Sequence, residues 1–142
     1  MKISDVMTKT VANLNVEDTV KRAAELMKEH NIGSIPVCRD EKVVGIITDR
    51  DIAVRTVADG KNSLEQKVKD VMSSNPVVGK PEMDIHDAAR IMSERQIRRL
   101  PIVENNNLVG IVALGDLAVE NILVDDAGRA LSEISSPSIP QM

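Results

Sequence analysis

Sliding the chain along itself by 65 residues brings it into register, and no other feature restricts the fold as strongly. Asp5-Val6-Met7 falls on Asp70-Val71-Met72, Ala23-Ala24 on Ala88-Ala89, and Met27 on Met92. Ile32 meets Ile97, Pro36 meets Pro101, and Val44-Gly45-Ile46 meets Val109-Gly110-Ile111. Asp51 meets Asp116, and Ala53-Val54 meets Ala118-Val119. With Glu17 on Glu82 and Glu29 on Glu94, 16 of the 50 positions from Asp5 to Val54 are identical without a gap. A register held that long means two copies of one unit. The copies are expected to pack through their sheets about a pseudo-two-fold axis.

Each copy reads as strand, helix, strand, strand, helix. Residues 11–14 are apolar enough for a first strand. Val20, Ala23, Ala24 and Met27 follow the i, i+3, i+4, i+7 rule of an amphipathic helix, and Ile85, Ala88, Ala89 and Met92 repeat it. Thr19 or Asp18 can cap the first of these helices. Ile35-Pro36-Val37-Cys38 reads as a strand whose proline suggests an edge or a bulge. Val43 to Ile47 reads as a buried strand, and a second helix begins near Asp49. The fold class is therefore α+β (mixed α/β), built of two pseudo-symmetric β-α-β-β-α units. The expected domains are residues 1–60 and 61–125, followed by a C-terminal helix extension and tail over 126–142.

Composition narrows the chemistry. The chain has 142 residues, 42% of them hydrophobic, and a net charge of -4. It has no Phe, Tyr or Trp, so stacking of nucleic-acid bases on aromatic rings is excluded. Neither nucleic acid nor a membrane is expected as a partner, since no stretch approaches the roughly 20 apolar residues of a spanning helix. With a single cysteine, Cys38, and no apolar run of signal-peptide length at the N-terminus, a cytoplasmic location is expected. Cys38 sits in an apolar strand and reads as an inert core thiol. His30 and His86 lack metal-ligand spacing with it, so no metal site is expected.

The segment Gly45-Ile46-Ile47-Thr48-Asp49-Arg50-Asp51 carries the most chemistry. Thr48 offers a hydroxyl donor where a strand ends. Asp51, three residues later, offers two acceptor oxygens that match adjacent donors such as a ribose diol. The same Thr-x-x-Asp spacing is close to a capping box, which needs no ligand. Arg98 and Arg99 replace Gly33 and Ser34 of the first copy. Two guanidinium groups can clamp phosphate oxygens, or they can simply line a solvated edge.

Taken together, the Asp-Val-Met openings, the apolar-Pro-apolar strands (Ile35-Pro36-Val37 and Leu100-Pro101-Ile102), the GIITDRD turn and the duplication resemble a tandem pair of CBS (cystathionine beta-synthase) domains, a Bateman module. The resemblance covers about Lys2 to Asn121. It implies a regulatory module that binds an adenine nucleotide (AMP, ADP or ATP) and signals to an unidentified partner protein. It implies no catalysis and no required cofactor, and a homodimer. It puts Thr48 and Asp51 at phosphate and ribose contacts, and Arg98 and Arg99 over the phosphate of the same ligand. Val11, Ile35 and Ile46 are candidate adenine walls. Asp116 marks a second, weaker site, because Ala113 stands where Thr48 does. The alternatives are a nucleotide-hydrolysing enzyme using Asp49 or Asp51, a structural dimerisation module, and a binder of another adenosyl ligand such as S-adenosylmethionine or NAD.

Overall fold

A computed structural model describes residues 1–9, 11–118 and 133–134, and it divides the chain into two compact α/β units. Among the described residues, the first unit holds those of Thr10–Val77 with Asn105–Leu108, and the second holds Met1–Lys9, Val78–Glu104 and those after Leu108. Apart from residues 133–134, the expected C-terminal extension lies outside the described residues.

In the first unit the elements run β1 (Leu14–Asn15), α1 (Val20–His30), β2 (Ser34–Arg39), β3 (Lys42–Thr48), α2 (Asp49–Ile52) and β4 (Ser73–Ser74). Thr19 caps α1: its side chain accepts from the Arg22 N–H, satisfying one of the helix's orphan donors. The helix stops at Asn31, which turns left-handed at φ 52°. Asp40 and Glu41 both have positive φ, 51° and 70°, giving the tight two-residue turn that suits a twisted hairpin. β2 lies between β1 (parallel) and β3 (antiparallel), and β4 pairs antiparallel with β3 on its other side. Leu14, Val20, Ala23, Met27, Ile35 and Ile47 belong to the core that α1 and the sheet close.

The second unit repeats this with α3 (Ile85–Arg95), β5 (Arg99–Glu104), β6 (Asn107–Ala113) and α4 (Leu114–Ala118). Asp84 caps α3 by accepting from His86 N–H, and Gln96 ends it at φ 54°. The 65-residue register survives in the hydrogen bonds. Leu14 pairs with Val37, and Gly79 pairs in parallel with Ile102. Ile46 pairs with Ser73, and Ile111 with Thr8.

That last pair shows where the Asp-Val-Met segments go. Residues 1–9 open the first sequence copy but pack in the second unit. The Ile3 N–H donates to Met83 O at 2.9 Å, and Ile85 N–H to Met1 O at 3.1 Å. Their counterparts in the first unit are Val68 N–H to Asp18 O at 2.8 Å and Val20 N–H to Gln66 O at 2.9 Å. Ile3 and Val68 are fully buried, worth roughly 1.5–3 kcal/mol each.

Four local expectations are adjusted. Residues 11–13 lie outside β1, and there Asn13 Nδ2 donates to Val11 O at 3.2 Å. Ala24 is exposed and Leu26 takes its place in the buried stripe, whereas Ala89 in α3 is buried. Of the two settings Pro36 suggested, the edge is not found, since β2 lies between β1 and β3, whereas a bulge is: the register of β2 against β3 shifts next to it at Val37/Cys38. The second helix is α-helical for one turn and then widens to a π-turn over Ala53–Val57.

Candidate functional site

The end of β3 is built by two reciprocal hydrogen bonds. Thr48 Oγ1 accepts from the Asp51 N–H at 3.0 Å, and Asp51 Oδ2 accepts from the Thr48 N–H at 2.9 Å. This is a complete capping box. It leaves the Thr48 hydroxyl proton and Asp51 Oδ1 without a partner among the described residues, and both side chains are half-buried. In the second unit Asp116 Oδ2 accepts from the Ala113 N–H at 3.1 Å. The carboxylate is held as before, but Ala113 has no hydroxyl to complete the box.

A second bond ties this turn to the preceding strand. The Asp49 N–H donates to Gly33 O at 2.9 Å, and in the second unit Leu114 N–H donates to Arg98 O at 2.8 Å. A methyl placed on Gly33 would stand 3.0 Å from Asp49 Oδ2, so an exposed carboxylate fills the space there.

The structure gathers Thr48, Asp51, Val11, Ile35 and Ile46 in the first unit, and Arg98, Arg99 and Asp116 in the second. Val11 and Ile46 are half-buried and present apolar surface. Ile35 is fully buried in the core, so its side chain exposes nothing to a ligand. Arg98 is exposed just before β5, and Arg99 is half-buried as its first residue. The sequence pointed to Asp49 as a possible carboxylate and to Met7 and Met72 as repeat positions, but not to the packing of Asp49 beside Gly33 or of the two sulfurs against the sheet glycines. A methyl on Gly45 would overlap Met72 Sδ; one on Gly110 would stand 2.6 Å from Met7 Sδ. The recurrence of Asp-Val-Met with Val-Gly-Ile in both copies was the available signal.

Two clefts contain none of the sequence-derived site residues. One, of about 490 Å³, is lined by Asn13, Asn15, Cys38, Glu41 and Asn107 among others. The other, of about 370 Å³, lies along α3 at Ala89, Ser93 and Glu133. Glu133 reaches that helix through two hydrogen bonds: its carboxylate accepts from the Ser93 hydroxyl, and its backbone carbonyl accepts from Gln96 Nε2 at 2.9 Å. Burial pushes the Cys38 thiol pKa up, which suppresses its thiolate. Among the described residues no three His, Cys, Asp or Glu side chains gather to hold a metal, and no helix is long and apolar enough to cross a membrane.

The comparisons agree with this architecture. The CBS domain profile matches residues 3–56 and 68–121. The chain is 50% identical over 137 residues to a CBS domain-containing protein, YhcV, of Bacillus subtilis (strain 168), covering 96% of this chain and 97% of that one. Hypoxic Response Protein I, solved with two coordinated zinc ions, superposes with a TM-score of 0.77 at 30% identity, covering 83% of this chain and 97% of the other. CBSX2 in complex with AMP superposes with a TM-score of 0.74 at 26% identity, covering 87% and 98%.

Proposed function

Because the chain belongs to the CBS domain family and carries two copies of the domain, we propose that it is a regulatory module that binds an adenine nucleotide and passes its occupancy to a partner protein. The observation that carries this reading is the pre-organised pair at the end of β3. The capping box fixes Thr48 and Asp51 without using the hydroxyl proton or Asp51 Oδ1. The first suits a phosphate oxygen, the second a ribose hydroxyl. Capping and ligand binding are thus compatible roles of the same residues. The AMP complex of the related CBSX2 supports the choice of ligand class.

In this proposal Val11 and Ile46 flank the adenine, with Ile35 contributing only backbone. Arg98 and Arg99 supply phosphate charge, on the strength of their chemistry and of the family resemblance. Asp116 serves a weaker site because its partner lacks a hydroxyl. The module works as a homodimer and catalyses nothing itself.

The test is thermal unfolding of ligand-free protein with AMP, ADP, ATP, S-adenosylmethionine and NAD. A nucleotide at 100 times its dissociation constant adds about 2.7 kcal/mol of apparent stability. A shift with S-adenosylmethionine or NAD alone redirects the ligand class, and no shift with any of them removes the proposal. Replacing Arg98 and Arg99 by Ala should weaken AMP roughly 10-fold or more and leave adenosine nearly unchanged. Equal losses for both ligands would make the arginines structural.

A further inference from the structure

The two methionines of the Asp-Val-Met segments lie against glycines of the sheet. In each unit the thioether lies where a glycine of the sheet has no side chain. Met72 Sδ occupies the position a methyl on Gly45 would need, with the Ser73 carbonyl 2.9 Å from that position. Met7 Sδ and Thr8 O stand 2.6 and 3.0 Å from the corresponding position at Gly110. The segments these sulfurs hold are narrow. β4 is two residues long, both exposed, and its counterpart is the isolated Thr8–Ile111 bridge. Arg55 also depends on this packing, since its guanidinium donates to Val71 O at 2.9 Å.

Met7 and Met72 are half-buried. Met27 is 8% exposed and Met92 fully buried, while Met1 is 51% exposed at the terminus. Among the described residues the chain therefore contains its own comparisons: an exposed methionine, two buried ones, the half-buried Met83, and the two half-buried ones whose sulfurs lie against sheet glycines.

We infer that Met7 and Met72 are paired modification sites for a peroxide-class oxidant, and that their oxidation releases the two Asp-Val-Met segments from the sheet. The thioether attacks hydrogen peroxide; the O–O bond breaks, an S–O bond forms, and the other oxygen leaves as water. Sulfur is oxidised by two electrons and the peroxide reduced by two. The product is a methionine sulfoxide, polar and larger at the sulfur, so the side chain must swing off the glycine or expose its new oxygen, and either loses the close packing. The strand edge then loses the contact that holds it. Sulfoxide reduction by the two epimer-specific reductases restores the thioether.

The experiment treats the full chain with graded hydrogen peroxide and maps added oxygen by tandem mass spectrometry. In an M83L background, which removes the other half-buried methionine among the described residues, Met1, Met7 and Met72 should be modified while Met27 and Met92 stay reduced. The melting midpoint should fall by roughly 5 °C or more as Met7 and Met72 react, and recover with the reductases. The M7L/M72L variant keeps apolar volume and should lose this sensitivity. If that variant does not fold, amide exchange of the unmutated protein decides: peroxide should speed exchange at Gly45–Ile47 and at Ile111, and leave α1 and α3 unchanged. Met7 and Met72 remaining reduced while Met1 is fully oxidised would overturn the inference. So would an equal fall in the leucine variant, or uniform loss of protection across both helices.

Discussion

Gly45→Ala tests how the Asp-Val-Met segment lies on β3. The added methyl would overlap Met72 Sδ, and would stand 3.0 Å from Met72 Cγ and 2.9 Å from the Ser73 carbonyl oxygen. The two obstacles differ in kind. The thioether ends a flexible side chain and can swing away. The carbonyl is backbone, held by the pairing of Ser73 with Ile46, so β4 itself must move. Overpacking of this type costs about 1–3 kcal/mol, and each kcal/mol moves the midpoint of a chain this size by roughly 4 °C. Met72→Ala removes the flexible obstacle and leaves the carbonyl. In that background the cost of Gly45→Ala should therefore shrink without vanishing, a coupling on the order of 0.5–1.5 kcal/mol. Urea unfolding followed by far-ultraviolet circular dichroism measures all four proteins, since the chain has no Trp or Tyr to report by fluorescence. A neutral Gly45→Ala, or a cost untouched by Met72→Ala, would show that Met72 does not fill this space.

Asp51→Asn keeps a cap acceptor but puts a donor where the ribose needs a second acceptor. It should therefore weaken AMP far more than Asp116→Asn, and dAMP should bind the unmutated protein roughly 10- to 100-fold more weakly than AMP; competition titration reads both. Burial raises the Cys38 pKa, so native protein should react slowly with a disulfide reagent at neutral pH and fast once urea unfolds it; fast native labelling would refute the buried position. The hydrogen bond and charge of Lys69 lower the Glu17 pKa. Any stability that follows is present above the unfolded carboxyl value and lost as pH falls through the lowered folded one. Both side chains are substantially exposed, so the difference between wild type and Glu17→Gln should be small, fade in acid and in high salt, and be read from urea midpoints across pH.

Much of the fold could be read from local pattern. The stripes Val20-Ala23-Met27 and Ile85-Ala88-Met92 became the buried faces of α1 and α3 because helical period and burial coincide there. Flanking positions were harder. Ala24 and Ala89 are identical in the sequence, yet only the second is buried, and what lies along that face of α3 includes Glu133, far along the chain. Ile35 looked like a candidate wall, but alternation along a strand buried over four successive residues cannot tell a ligand face from a core face. The packing of residues 1–9 in the second unit was hidden for a related reason. A self-alignment compares each segment with its copy and carries no information on which strand it joins.

Among the many positions where the copies differ, one group changes charge and hydroxyl chemistry at a single place in the fold. Ile32/Ile97, Pro36/Pro101, Gly45/Gly110, Ile46/Ile111 and Asp51/Asp116 agree, whereas Gly33-Ser34 faces Arg98-Arg99 and Thr48-Asp49-Arg50 faces Ala113-Leu114-Gly115. In the structure these differing positions are neighbours within each unit, joined by the bond from Asp49 N–H to Gly33 O and by its counterpart from Leu114 to Arg98. The agreeing positions around them make the scaffold: the glycines under the methionine sulfurs, and the aspartates held by the backbone N–H three residues before. Scaffold chemistry is thus kept in both copies, while charge and hydroxyl donors are redistributed at one end of each hairpin. Under the proposed function, the Thr48-Asp51 turn is the better equipped for ribose and phosphate, because Ala113 offers no hydroxyl at the matching place.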